Sequence, residues 1–121
     1  MNATTDGSVR VEILARADCE AKGMAIAVVQ RAVDETGVPA RIDVVEVSSL
    51  AQAKKRRLLG SPTVLVDGRD VDPGANGGEF TLEDRVYRTD RGLAGWPDAR
   101  WVRDALLRAV AKTTSNGNHD H

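Results

Sequence analysis

Apolar and charged residues alternate near the start of the chain, with Val9, Val11 and Ile13 set against Arg10 and Glu12. A period of two puts successive side chains on opposite faces, so this stretch predicts a half-buried β-strand. The period then lengthens. Ala21, Met24, Ala25, Val28, Val29, Ala32 and Val33 recur at helical spacing, while Glu20, Lys22, Gln30, Arg31, Asp34 and Glu35 fall on the other side. That pattern predicts an amphipathic helix over residues 19–36, with Asp18 as its N-cap and Gly37 with Pro39 as its stop.

Residues 41–47 carry Ile42, Val44, Val45 and Val47, a nearly continuous apolar run that suits a central strand covered on both faces. Ser49 with Gln52 forms a capping box for a second helix, which Gly60 would close. A third strand is expected at 63–66 and a shorter fourth at 85–88. Between them, residues 67–84 contain Gly68, Gly74, Gly77, Gly78 and several acids, and are expected to form a long irregular loop. Pro97-Asp98 opens a final helix in which Val102, Ala105, Leu106 and Ala109 share a face. The order β-α-β-α-β-β-α predicts an α/β domain, a small mixed four-stranded sheet flanked by helices. It spans residues 9–111. The polar ends, 1–8 and 112–121, are expected to be unstructured.

At 121 residues the chain suits one domain. Its 17 Lys+Arg nearly cancel its 18 Asp+Glu, so no global field is available to draw nucleic acid or an anionic membrane. No apolar run approaches the roughly 20 residues that cross a bilayer, and the opening residues lack the apolar core of a signal peptide. With a single cysteine there is no internal disulfide, and a reducing, cytoplasmic setting is expected.

Candidate chemistry centres on Cys19. At a helix start its sulfur would face unpaired N–H groups and the positive end of the macrodipole, which favours thiolate. Lys22 one turn on would add to this, while Asp18 and Glu20 oppose it. The alternative is an inert buried thiol, since free cysteine is among the most buried residue types. The second feature is Gly60-Ser61-Pro62-Thr63 ahead of an apolar run. Proline cannot donate to a ladder and belongs at a strand start, where a cis bond would make a tight loop. The backbone of Ser61 could then pair with an extended ligand near Cys19. Tyr87 and Phe80 are placed to line a pocket under the long loop.

The other polar clusters read as solvated surface. The acids Asp67, Asp70, Asp72, Glu79, Glu83 and Asp84 do not follow calcium-loop spacing, and Arg69 and Arg85 are near enough to neutralise some of them. Lys54-Lys55-Arg56-Arg57 falls at a helix end without stacking aromatics. His119 and His121 lie in the polar tail. Neither a metal nor a cofactor is implied. Trp96 and Trp101 read as anchors for the last helix.

The segment from Gly60 to Asp70, then Arg85-Val86-Tyr87-Arg88-Thr89 and Gly92-Leu93-Ala94-Gly95-Trp96-Pro97, resembles small bacterial thioredoxin-like proteins. That group is itself similar to the mercury-binding core of organomercurial (alkylmercury) lyases. The resemblance runs from Val9 to Val110 and implies a thioredoxin-like fold. It places Cys19 at the family's nucleophilic cysteine and Ser61-Pro62 at its cis-proline loop. Family members often carry a second cysteine, where this chain has Lys22 or Asp84. Self-contained dithiol redox cycling is thereby excluded, and mercury–carbon cleavage would lack its second thiolate.

The leading expectation is a thioredoxin-like protein with Cys19 as a lone nucleophile, forming a mixed disulfide or other covalent adduct. Lys22 would lower its pKa, while Ser61, Pro62, Thr63 and Tyr87 would position a small thiol or protein partner. Two other classes stay open. One is a non-catalytic binding module or partner subunit that uses the 67–84 loop and the Trp96/Trp101 region. The other is a small-molecule lyase or isomerase with unrelated pocket chemistry. Homodimer formation is also open.

Overall fold

The computed structural model describes residues 8–75 and 78–118, with side chains through Ala111. Expectations for residues 1–7 and for His119 and His121 fall outside them. The opening alternation is realised as β1 (Val9–Ala15), and the helical period as α1 (Lys22–Thr36). β2 (Ala40–Glu46), α2 (Leu50–Arg56), β3 (Leu59–Ser61) and β4 (Thr63–Val66) follow. Then come β5 (Arg69–Asp70), β6 (Thr81–Asp84), β7 (Tyr87–Thr89), β8 (Gly92–Ala94) and α3 (Ala99–Asn118).

The molecule is a mixed α/β fold whose main sheet has four strands in the order β2-β1-β4-β5. β1 and β2 are parallel, β4 runs antiparallel to β1, and β5 turns back antiparallel on β4. Two-stranded ribbons β3-β6 and β7-β8 stand outside it. The four-stranded mixed sheet matches expectation, but its fourth strand does not. Of residues 85–88 only Tyr87 and Arg88 form strand, in the β7-β8 hairpin, and the edge place goes to β5. The stretch 67–84 is correspondingly less irregular than its glycines suggested, since it contains β5 and β6.

The roles of the first two strands are exchanged relative to the sequence reading. β1 is the buried central strand, with Val11, Ile13, Leu14 and Ala15 all fully shielded. β2 is an edge strand, and Val44 in it is 48% exposed. The cause is the antiparallel insertion of β4 beside β1, which leaves β2 on the outside. Two apolar layers result. Even-numbered residues of β4 and odd-numbered ones of β1 meet Ala25, Val29 and Ala32 of α1 and Val102, Ala105, Leu106 and Ala109 of α3. On the other face Leu14 and Leu65 meet Ala53 of α2 and Leu58. Trp96 and Trp101 pack against the first layer, as anchors would. Met24, expected on the buried stripe of α1, is instead exposed.

The helix ends follow local chemistry in part. Gly37 takes the left-handed conformation and donates its N–H to Val33, closing α1 as expected. Ser49 accepts from the Gln52 N–H, while the Gln52 side chain accepts from the Ser48 N–H, one residue outside the simple capping box. α2 is closed by Arg57 in the left-handed region, not by Gly60. α3 runs to Asn118, past the expected boundary at residue 111.

Candidate functional site

Cys19 lies in the turn between β1 and α1, beyond the C-terminal end of the central strand. Its N–H donates to the Arg16 carbonyl at 3.2 Å, and its carbonyl accepts from the Lys22 N–H at 3.3 Å. Helix α1 begins at Lys22 with Ala21 as its N-cap, so Cys19 precedes the first helical turn rather than sitting in it. This corrects the expected helix start. Asp18 does not cap the helix. Its carboxylate accepts from Arg16 Nε at 3.0 Å, and that guanidinium holds it below the usual carboxylate range. Lys22 meets Cys19 through the backbone bond. Cys19 is buried, with 8% of its surface exposed, as the inert-thiol alternative expects.

Facing this turn is the loop between β3 and β4. The Ser61-Pro62 peptide bond is cis. Ser61 is almost fully buried, and its Oγ accepts from the Arg16 N–H at 3.0 Å. The turn that carries Cys19 and the Ser61-Pro62 junction are therefore joined by one direct bond, although 45 residues separate the two partners. The Ser61 backbone was expected to pair with an extended ligand, and its carbonyl already accepts from the Arg85 N–H at 3.0 Å.

Thr63 and Tyr87 were expected to contact a substrate, and both are completely buried. The Thr63 hydroxyl donates to the Gly60 carbonyl at 2.6 Å, and Arg85 Nη1 donates to Thr63 Oγ1 at 3.2 Å. Tyr87 donates its O–H to the Pro62 carbonyl at 2.6 Å, and its ring lies 6.2 Å from that of Trp101. Burial pushes the Tyr87 phenol up from its ordinary value. Arg85 opposes that shift, while Asp70, Asp72 and Cys19 act with it. These two side chains support the Pro62 loop from beneath.

Two arginines complete the arrangement, and the sequence reading gave neither this role. Arg16 donates from Nη1 to the Leu82 carbonyl at 2.6 Å and from Nη2 to Asp84 at 2.7 Å, pinning β6 against the Cys19 turn. Arg85 is buried with its side chain 8% exposed. It forks onto Asp70 at 2.6 and 3.2 Å, approaches Asp72 at 3.5 Å, and lies 4.3 Å from the centre of the Tyr87 ring. The expected neutralisation of loop acids by Arg85 is thus realised. A signal for Arg16 was present, a cation directly after an apolar strand and three residues ahead of the only cysteine. Nothing local marked Arg85 as a buried residue.

An open groove of about 930 Å³ lies elsewhere, lined by Arg57, Leu59, Phe80, Ala105 and Arg108 among others. Phe80 reaches it as expected, but Tyr87 and the residues around Cys19 do not. Among the described residues no three His, Cys, Asp or Glu side chains gather as a metal site, and no helix is long and apolar enough to cross a membrane. Chemically, the arrangement offers one thiol on a turn that is hydrogen-bonded to an internally satisfied loop. Set against protein-family models, curated proteins and solved structures, the chain matches none of them.

Proposed function

We propose that this chain is a thioredoxin-like domain in which Cys19 exchanges its thiol with external disulfides. One observation carries the reading, the Arg16 N–H to Ser61 Oγ bond that ties the Cys19 turn to the Ser61-Pro62 junction. The sheet order β2-β1-β4-β5, with Cys19 following β1 and Pro62 preceding the antiparallel β4, supports the fold assignment. Open α/β sheets take ligands beyond the carboxyl ends of their strands, which is where Cys19 lies.

In the exchange, the Cys19 thiolate attacks one sulfur of a small-molecule or protein disulfide. The original S–S bond breaks and its other sulfur leaves as thiolate, taking up a proton from water. A second external thiolate then attacks the mixed disulfide and releases Cys19 unchanged, so no electrons are gained or lost by the protein. With one cysteine in the chain no internal thiol can resolve the adduct. The same fact removes the two-thiolate set of the organomercurial lyases. A reducing, cytoplasmic compartment would keep the thiol available.

Intact mass after incubation with oxidised glutathione, a small disulfide, tests the reading. A single adduct on the native protein, absent in Cys19→Ser, is the expected result. Its rate should exceed that allowed by global unfolding alone, measured from the unfolding free energy and the rate in denaturant. An adduct that forms only as fast as the chain unfolds would overturn the exchange role. The 8% exposure of Cys19 favours a second reading, in which the thiol packs the turn and the domain is a binding module. In that case Cys19→Ser leaves partner binding unchanged.

A further inference from the structure

We propose that β2 pairs with β2 of a second copy of this chain, joining two four-stranded sheets into one of eight. β2 is seven residues long and lies at the sheet edge, paired on one side with β1. The direction of its backbone groups follows from its two ends. The Val9 N–H donates to the Pro39 carbonyl at 2.9 Å, and the Val47 N–H donates to the Ala15 carbonyl at 2.9 Å. In a parallel ladder these bonds put the Pro39 C=O, the N–H and C=O of residues 41, 43 and 45, and the Val47 N–H toward β1. The alternate residues Ala40, Ile42, Val44 and Glu46 therefore aim theirs outward.

An antiparallel partner can use those groups in only a few registers. Centred on Ile42, the pairing sets Ile42 opposite the partner's Ile42, and Ala40 opposite the partner's Val44 in both directions. All of these are hydrogen-bonded positions of an antiparallel ladder. The same register places Arg41 opposite the partner's Asp43, twice over by symmetry. Opposite charges facing each other across strands stabilise pairing, whereas like charges oppose it. Moving the centre to residue 43 would set Asp43 against the partner's Asp43, so charge selects the register. Arg41 and Asp43 are 61% and 39% exposed and form a loose ion pair with each other at 3.9 Å within the strand, which a partner's opposite charges would replace. Val44, exposed on the helix-covered side, gains the partner's Ala40 as its neighbour. Edge strands avoid such pairing by charged side chains, proline, a bulge or a covering segment, and the charges β2 carries, Arg41 and Asp43 among them, oppose pairing in other registers but match in this one. β2 has no proline, and its register with β1 is unbroken from end to end.

The pairing does not involve Cys19, so it stands or falls independently of the exchange reaction. The test is sedimentation equilibrium under reducing conditions, with circular dichroism to confirm that each variant is folded. The wild-type chain should reach twice the mass of one chain as concentration rises. Arg41→Asp and Asp43→Arg should each weaken self-association by roughly tenfold or more. Mixing the two single variants should restore the dimer, because each then faces an opposite charge. A wild-type chain that stays monomeric up to millimolar concentration would overturn the proposal and leave the edge to an extended segment of another protein. A dimer indifferent to both substitutions, or a mixture no tighter than its components, would overturn it equally.

Discussion

Tyr87 reaches from the β7-β8 hairpin to the peptide just ahead of β4, donating its O–H to the Pro62 carbonyl at 2.6 Å. Both partners are shielded from water, so the bond keeps a buried carbonyl satisfied and fixes the loop that faces Cys19. Replacing Tyr87 with Phe keeps the ring and removes the donor. The loss should be about 1–3 kcal/mol, the cost of stranding a buried acceptor.

The same residue gives a clean alkaline titration, because it is the only tyrosine in the chain. Its folded pKa is raised above the ordinary value of 10.0, chiefly by burial. For a group whose folded pKa is raised, the contribution to stability is complete below the unfolded value. It is lost as pH climbs from there through the folded value. Stability should therefore decline above pH 10. Tyrosinate absorbance should appear together with loss of far-UV dichroism, not ahead of it. Ionisation near pH 10 in a still-folded chain would refute the burial argument.

Arg85 should be the costliest single charge to remove. Its guanidinium is the counter-ion of Asp70, whose side chain is 12% exposed, and it also bonds Thr63. Arg85→Met would leave the largely shielded Asp70 carboxylate with the Asp72 N–H but no counter-ion, a loss of about 3 kcal/mol by urea unfolding. Arg85→Lys should recover only part of this, since an ammonium cannot reproduce the fork onto both carboxylate oxygens. Arg85→Met combined with Asp70→Leu should be less destabilised than Arg85→Met alone. Gly60 depends on the same neighbour, because at φ 116 an added Cβ would stand 2.8 Å from the Arg85 Cβ.

Strand identity was legible where the period was clear, and neighbour relations were not. Alternation in β1 and the apolar run in β2 both announced strands, yet neither pattern tells which will lie at the centre. That was decided by β4 pairing with β1, a contact between Ile13 and Val64 that lies 51 positions apart in the chain. The Cys19 turn and the Ser61-Pro62 loop were legible for a different reason. A lone cysteine after a strand and a proline before one are local signals. The groups that connect them, Arg16 to Ser61 and Arg85 to Asp70, act over long separations and leave no periodic trace. The start of α1 was misjudged because Asp18 looked like a cap, while its carboxylate is spent on Arg16.

Ser61→Ala should loosen the Cys19 turn without disturbing the sheet. It removes the acceptor of the Arg16 N–H, at an expected cost of about 1 kcal/mol in stability. The Arg85 N–H to Ser61 carbonyl bond is a backbone contact and stays in place. Maleimide labelling of Cys19 in the native state should become severalfold faster, after allowing for the change in global stability. Unchanged labelling would mean that the bond does not restrain the turn.

Asp98 gives the acid counterpart of the tyrosine titration. It stands immediately before α3, where its Oδ1 accepts from the Arg100 N–H at 2.8 Å and its carbonyl accepts from the Trp101 N–H at 3.0 Å. These are the bonds of an N-cap, and Asp98→Ala should cost about 1 kcal/mol at neutral pH. Hydrogen bonding to the Arg100 side chain, ahead of all other causes, holds the carboxyl below the usual carboxylate range. For a depressed pKa the contribution is present above the unfolded value, about 3.9 for an aspartate, and disappears as pH falls through the folded one. The gap between wild type and Asp98→Ala should therefore narrow in strong acid. Asp98→Asn keeps an oxygen acceptor for the cap but has no carboxyl to titrate, so it should hold a pH-independent share of the stabilisation. Thermal midpoints of the three proteins from neutral pH into strong acid decide the matter, and a wild-type advantage undiminished in acid would show that the carboxylate charge plays no part.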